Sequence, residues 1–120
     1  MALRVDERVV GAARVVSAAG ELDGATAGRL RAAVDRALDA LPAAVVVDLT
    51  RVTFIDSAGV RAVLDRRAVI SALDSRLHVV AVAEQVRAVF EMSGLLEGQP
   101  LHRGLVEVLG PDPAGLAPAG

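Results

Sequence analysis

The chain has 120 residues, 53% of them hydrophobic and 23% charged, with a formal net charge of -2. That length suits one domain around one core and is too short for two domains closing over a cleft. There is no broad basic field, and Phe54 and Phe90 are the whole aromatic complement, so direct nucleic-acid binding is not expected. Without cysteine, a disulfide framework, a thiolate metal site and a cysteine nucleophile are excluded. All 13 basic side chains are arginine, which reads as codon bias more than as a demand for guanidinium.

The opening residues carry acids where a signal peptide needs an apolar run, and no segment approaches a membrane span. The expectation is a soluble cytoplasmic protein with no membrane insertion. Leu3 to Val10 and Ala13 to Ala19 read as a hairpin around Gly11, with Leu3, Val5 and Val9 on one face. Gly20 to Gly24 is expected to break the strand, and Asp23 to cap the next helix through its carboxylate.

Residues 25–41 show the clearest helical period: Leu30, Val34, Ala37, Leu38 and Leu41 form one stripe, and Pro42 stops it. Residues 43–49, rich in valine, suit a strand covered on both faces. Thr50 to Asp56 then reads as a connection, with Val52 and Phe54 turned into the core. A helix is expected over 57–73 on an inner face of Val60, Val63, Leu64 and Ile70. A strand over 77–83 and a helix over 84–93 follow, the latter burying Val86, Val89 and Phe90 and ending at Gly94. Leu101 marks a short edge strand and 105–109 a last helical turn or two. Residues 110–120 lack any pattern that buries a face and are expected to be disordered. The fold class is α/β, a mixed sheet of four to five strands flanked by three to four helices, with one domain over 1–109.

The most informative stretch is VVVDLTRVTFIDSAGV, residues 45–60, where a buried strand leads to Asp56-Ser57-Ala58-Gly59 and an amphipathic helix. Ser57 stands at an N-cap or first-turn position. It reads either as an ordinary cap or as a place where a phosphate is tolerated, because a helix start favours negative charge. Arg61, one turn on, is open to three readings: a partner contact, a local phosphate ligand, or a solvated side chain. Asp48 reads as a strand-end residue, since no P-loop, GxGxxG, GxSxG or HExxH pattern accompanies it. His78 and His102 are far apart in sequence with no ligand pattern around them, so no metal or cofactor is expected. Arg66-Arg67 reads as a solvated face.

The array GELD at 20–23, VVVDLTRVTFIDSAGV at 45–60 and VRAVFEMSGL at 86–95 resembles a STAS domain, and within that family the bacterial anti-sigma factor antagonists. The resemblance covers roughly residues 3 to 109. It implies a partner switch rather than an enzyme: the unmodified chain binds an anti-sigma factor that is itself a serine kinase, and phosphorylation of Ser57 releases it. A PP2C-type phosphatase then restores binding. It also implies a docking face of Asp23, Asp56, Ser57, Ala58, Gly59 and Arg61, and a monomer when free. Small residues at the helix start are expected to let a partner backbone approach. Two departures stand out: Arg61 replaces a small residue, and the stretch after Gly98 is short for the family's last helix. STAS domains also serve as accessory subunits of lipid and anion transport systems and as scaffolds of signalling complexes, which are the alternative readings.

Overall fold

The structure, a computed structural model, describes residues 2–110. Five strands run β1 Leu3–Val10, β2 Ala13–Leu22, β3 Ala44–Ile55, β4 Arg76–Val80 and β5 Leu101–His102. The helices are α1 Ala27–Leu38, α2 Ser57–Leu64, α3 Arg67–Ala72, α4 Glu84–Ser93 and α5 Leu105–Leu109. The strands lie in the order β1-β2-β3-β4-β5; β1 is antiparallel to β2 and every later pairing is parallel. This is the expected mixed α/β sheet.

Burial follows the sheet's two faces. Val16, Val45, Val47, Leu49 and Val79 face the main core, together with Leu30 and Val34 of α1, Val60 and Val63 of α2, and Phe90 of α4. Val15, Val46 and Val80 point the other way, under Leu105, Val108 and Leu109 of α5. Covering both faces is why β3 begins as an unbroken valine run: Val45, Val46 and Val47 are all fully buried. Gly11, at φ 59, turns the β1–β2 hairpin, and Gly94, at φ 73, ends α4 in the left-handed conformation.

Several expectations need correction. β2 does not break at Gly20 but continues to Leu22, and β3 does not end at Leu49 but runs on to Ile55. The two strands stay paired to Leu22↔Ile55 through two register shifts. Between Ser17↔Asp48 and Leu22↔Ile55, β3 spends two more residues than β2. These bulges convert the usual alternation into burial at every third residue, Leu49, Val52 and Ile55. A strand with that spacing does not look like one in sequence. Asp48 is therefore inside β3, beside the first shift, where its carboxylate accepts hydrogen bonds from the Thr50 amide, the Thr50 hydroxyl and Ser17 Oγ.

Val52 is buried as expected, but Phe54 is half exposed at the sheet's rim. Val9 is exposed and Val10 is buried in its place, against the second core. Leu41 is also exposed: α1 stops at Leu38, and Leu41 takes φ 49 before Pro42. The single helix expected over 57–73 is two. It breaks at Asp65-Arg66, where both residues reach across to α1: Arg31 holds Asp65 and Asp35 holds Arg66, each at 2.9 Å. Arg66 and Arg67 are thus tied within the chain, Arg67 donating to the Leu96 carbonyl at 2.8 Å. β4 ends at Val80, three residues early. The tail expected to be disordered lies, from residue 111 on, outside the described residues.

Candidate functional site at the start of α2

The bulged strands deliver two turns side by side at one end of the sheet. The Asp56 N–H donates to the Leu22 carbonyl at 3.3 Å, which ties the end of β3 to the end of β2. Next to that bond, α2 begins. Asp56 is its N-cap, in an extended conformation, and Oδ1 accepts the Gly59 N–H at 3.0 Å. Ser57 is consequently the first helical residue and not the cap; its side chain is exposed. The N–H groups of Ser57 and Ala58 belong to the first turn and have no intrahelical acceptor, so the site favours an anion.

Gly59 is buried against the end of β2. A Cβ on it would stand 2.5 Å from the Leu22 carbonyl oxygen and 2.7 Å from Ile55 Cγ1. The close approach that glycine permits is therefore made within the chain, between α2 and the β2–β3 ends. Ala58 is half buried and neighbours the second turn: a Cβ built on Gly24 would lie 3.9 Å from Ala58 Cβ. That contact brings the Asp23 loop beside the serine.

The Asp23 loop is held by its own hydrogen bonds. Asp23 Oδ1 accepts from the amides of Ala25, at 2.9 Å, and Thr26, at 3.1 Å, and its carbonyl accepts from Ala27 at 2.8 Å. Asp23 thus holds the turn that leads into α1, but against expectation it is not the cap: the N-cap is Thr26, and the amides that the Asp23 carboxylate binds precede the helix. Thr26 answers it: its hydroxyl accepts the Asp23 N–H at 3.0 Å and donates to the Glu21 carbonyl at 2.8 Å. Buried Thr26 has no place in the sequence reading, although an aspartate three residues before a threonine at a helix start is the spacing of such a reciprocal pair.

Arg61 is exposed on α2, one turn beyond Ser57, and is in no ion pair among the described residues. Phe54, whose strand position pairs with Glu21, adds a half-exposed aromatic ring to the same rim. The two histidines, distant in sequence, come together at the far edge of the sheet with ring centroids 5.6 Å apart. Among the described residues no cluster of three or more histidine and carboxylate side chains is arranged to hold a metal. No helix among them is long and apolar enough to cross a membrane.

A family model described as the STAS domain matches residues 2–108. The fold superposes on an anti-sigma factor antagonist from Mycobacterium paratuberculosis with a TM-score of 0.76 and 26% identity, covering 90% of this chain and 92% of that one. The anti-sigma factor antagonist SpoIIAA in its unphosphorylated form gives a TM-score of 0.72 at 25% identity, over 88% of this chain and 93% of that one. Its phosphorylated form, described as a Bacillus cell fate determinant, gives 0.64 at 25% identity, over 89% and 96%. The murine Solute Carrier 26 family member A9 anion transporter shares the fold at 17% identity, with a TM-score of 0.61 over 77% of this chain and 15% of that one.

Proposed function

This chain belongs to the STAS domain family, and within that family we propose that it is an anti-sigma factor antagonist switched by phosphorylation at Ser57. Residues 1–109 form the domain, and its work is done in the cytoplasm. The unmodified chain binds a kinase-type anti-sigma factor through the surface where the Asp23 loop meets the start of α2. The kinase supplies ATP and catalysis, so this chain is a ligand and a substrate rather than an enzyme. A PP2C-type phosphatase returns it to the binding form, and the free chain is a monomer.

The observation that carries this reading is the division of labour at the helix start. Asp56 makes the cap, which leaves the adjacent Ser57 hydroxyl exposed at a position where the fold does not depend on it. The similarity to antagonists over most of both chains supports it, and one of those relatives is known in a phosphorylated and an unphosphorylated form. The likeness to the anion transporter is a likeness of fold alone.

The switch follows from charge. A phosphate on Ser57 adds about -1.5 to -2 charges near pH 7. On the free chain the first-turn N–H groups of α2 and solvent accommodate it, and Arg61 is within a turn. In a desolvated interface the same charge costs several kcal/mol unless it is paired, enough to reverse binding. Phe54 supplies the apolar anchor of the docking rim, and Asp23 and Asp56 its polar contacts.

Incubating the purified chain with a kinase-type anti-sigma factor and ATP tests the reading. It predicts the mass gain of one phosphate, mapped to Ser57 and absent from Ser57→Ala. Phosphate found only elsewhere, or none at all, would overturn it.

A further inference from the structure

Ser57 lies at the end of the sheet where β2 and β3 finish. At the opposite end, where β2, β3 and β4 begin, the chain leaves several large apolar side chains uncovered. Leu41 is 70% exposed and Val9 61%, and Val69 and Leu73 are nearly half exposed. These residues are contiguous. Leu38, Leu41, Val69 and Leu73 line a groove between the end of α1 and α3, and Leu41, Leu73 and Val9 continue it toward the β1–β2 hairpin. Single exposed apolar residues are ordinary, but a joined patch with a polar border marks a surface made for contact.

Folding alone gives no reason for the leucine at its centre. Leu41 takes φ 49, where a Cβ is unfavourable and glycine or asparagine is the ordinary choice. It also stands before Pro42, which favours an extended residue in front of it. The Leu41 N–H donates to the Leu38 carbonyl at 2.9 Å and so helps to close α1, a bond that any residue but proline would make there. The corresponding turn after α3 takes its positive φ, 58, at Asp74, a residue type that tolerates it. Position 41 thus keeps an apolar side chain that the fold neither buries nor needs.

The border of the patch is acidic. Asp35 and Asp39 flank the α1–α3 groove, and no basic side chain lines it. Asp35 is engaged by Arg66, whereas Asp39 is in no ion pair among the described residues. Asp74, equally unpaired among them, borders the continuation toward the hairpin, where Arg14 is the one basic residue. Two copies meeting through this patch about a twofold axis would set carboxylate against carboxylate, so it does not suit a second copy.

We infer that this patch is a docking surface for a basic amphipathic helix of a partner protein. A groove between two helices receives a third through apolar side chains at i, i+3 or i+4, and i+7. α3 has six residues and is about 9 Å long, so the contact spans about two turns. Leu41 and Leu73 hold the apolar stripe of the incoming helix, and lysine or arginine on its flank meets Asp39 and Asp74. Because the whole patch lies at the sheet end away from Ser57, it is open with the Ser57 surface free or bound. The inference stands whether or not the partner switch does.

The test titrates the full chain with a capped peptide bearing leucine at i, i+4 and i+7 on a lysine-rich background, followed by backbone amide NMR shifts. Two control peptides replace each lysine by glutamate or scramble the same residues. The expected result is saturable movement confined to residues 9–14, 35–43 and 67–74 with the lysine peptide, and binding of both controls weaker by about tenfold or more. Leu41→Gly removes the side chain and relieves the backbone. It should weaken binding about tenfold while leaving the unfolding midpoint no lower than that of the wild type. Asp39→Asn combined with Asp74→Asn should weaken binding and flatten its dependence on salt. Equal binding of the glutamate peptide, shifts centred elsewhere, or undiminished binding by Leu41→Gly would overturn the proposal. So would shifts at the patch that grow with protein concentration in the absence of peptide, which would assign it to a second copy.

Discussion

Asp56 Oδ1 holds the Gly59 N–H at 3.0 Å, and this one bond leaves the Ser57 hydroxyl outside the cap of α2. Had the serine been the cap, its hydroxyl would have been committed to the helix, and a phosphate there would have cost the fold a bond. With aspartate as the cap, the serine sits one residue inside the helix, exposed. Asp56→Ala is expected to destabilise the domain by about 1 kcal/mol, and Asp56→Asn, which keeps an equally good capping oxygen, to be close to neutral. Denaturant unfolding followed by far-UV circular dichroism checks both, since the chain has no tryptophan or tyrosine to report by fluorescence.

Gly59 is predicted to be the least replaceable residue of the DSAG element. Its added Cβ would collide with the Leu22 backbone, which cannot swing aside as a side chain can. Gly59→Ala should cost about 1–3 kcal/mol. Gly24→Ala, whose new methyl would only touch Ala58 at 3.9 Å, should change stability by less than about 0.5 kcal/mol. Equal unfolding midpoints for the two variants would contradict the packing argument.

If the proposed docking rim is right, a change at Phe54 is expected to separate docking from stability. Its ring is half exposed at the rim that also carries the Asp23 loop. Phe54→Ala is expected to leave the unfolding midpoint nearly unchanged and to weaken binding to a kinase-type anti-sigma factor about tenfold, or ~1.4 kcal/mol. Isothermal titration gives the second number. Undiminished affinity would remove Phe54 from the interface.

His78 makes stability depend on pH in a definite direction. Burial above all, then the neighbouring His102 and Arg76, hold its imidazole below the ordinary value of 6.5. As pH falls through that value the unfolded chain takes up a proton here before the folded chain does, so acidification favours unfolding. Above it both states are neutral at this position and the contribution vanishes. Urea midpoints measured between about pH 8 and pH 5 should therefore fall more steeply for the wild type than for His78→Gln. Identical slopes would contradict this.

Most of the architecture was legible because local pattern and tertiary burial agree. The stripe of Leu30, Val34, Ala37 and Leu38, the valine run at 45–47 and the Val86–Phe90 face each state their burial in sequence. α4 was legible at both ends, from Glu84 to the left-handed Gly94. What was not legible depends on partners distant in the chain. The extension of β3 to Ile55 rests on bulges against β2, and these replace the period of two with a spacing of three. The break between α2 and α3 coincides with ion pairs to Arg31 and Asp35, on another helix. Phe54 looked like core because it is aromatic and follows buried Val52, but the second register shift leaves it at the rim.

At the candidate site, the motif located the serine and the aspartates, whereas their separate tasks emerged only in three dimensions. Whether Asp56 or Ser57 caps α2 turns on the backbone angles at Asp56, which the DSAG spelling does not specify. Likewise, the need for glycine at 59 comes from the Leu22 carbonyl, thirty-seven positions away in sequence and in contact only because β2 and β3 end together. The pairing of His78 with His102 across β4 and β5 has the same origin.

The most direct test of the partner switch is affinity capture from the source cell with wild-type, Ser57→Ala and Ser57→Asp baits, read by mass spectrometry. The account predicts that a kinase-type anti-sigma factor is retained by the first two and lost by the third, with all three baits equally folded by circular dichroism. Transporter subunits retained alike by all three baits would contradict it and leave Ser57 as no more than the first residue of α2.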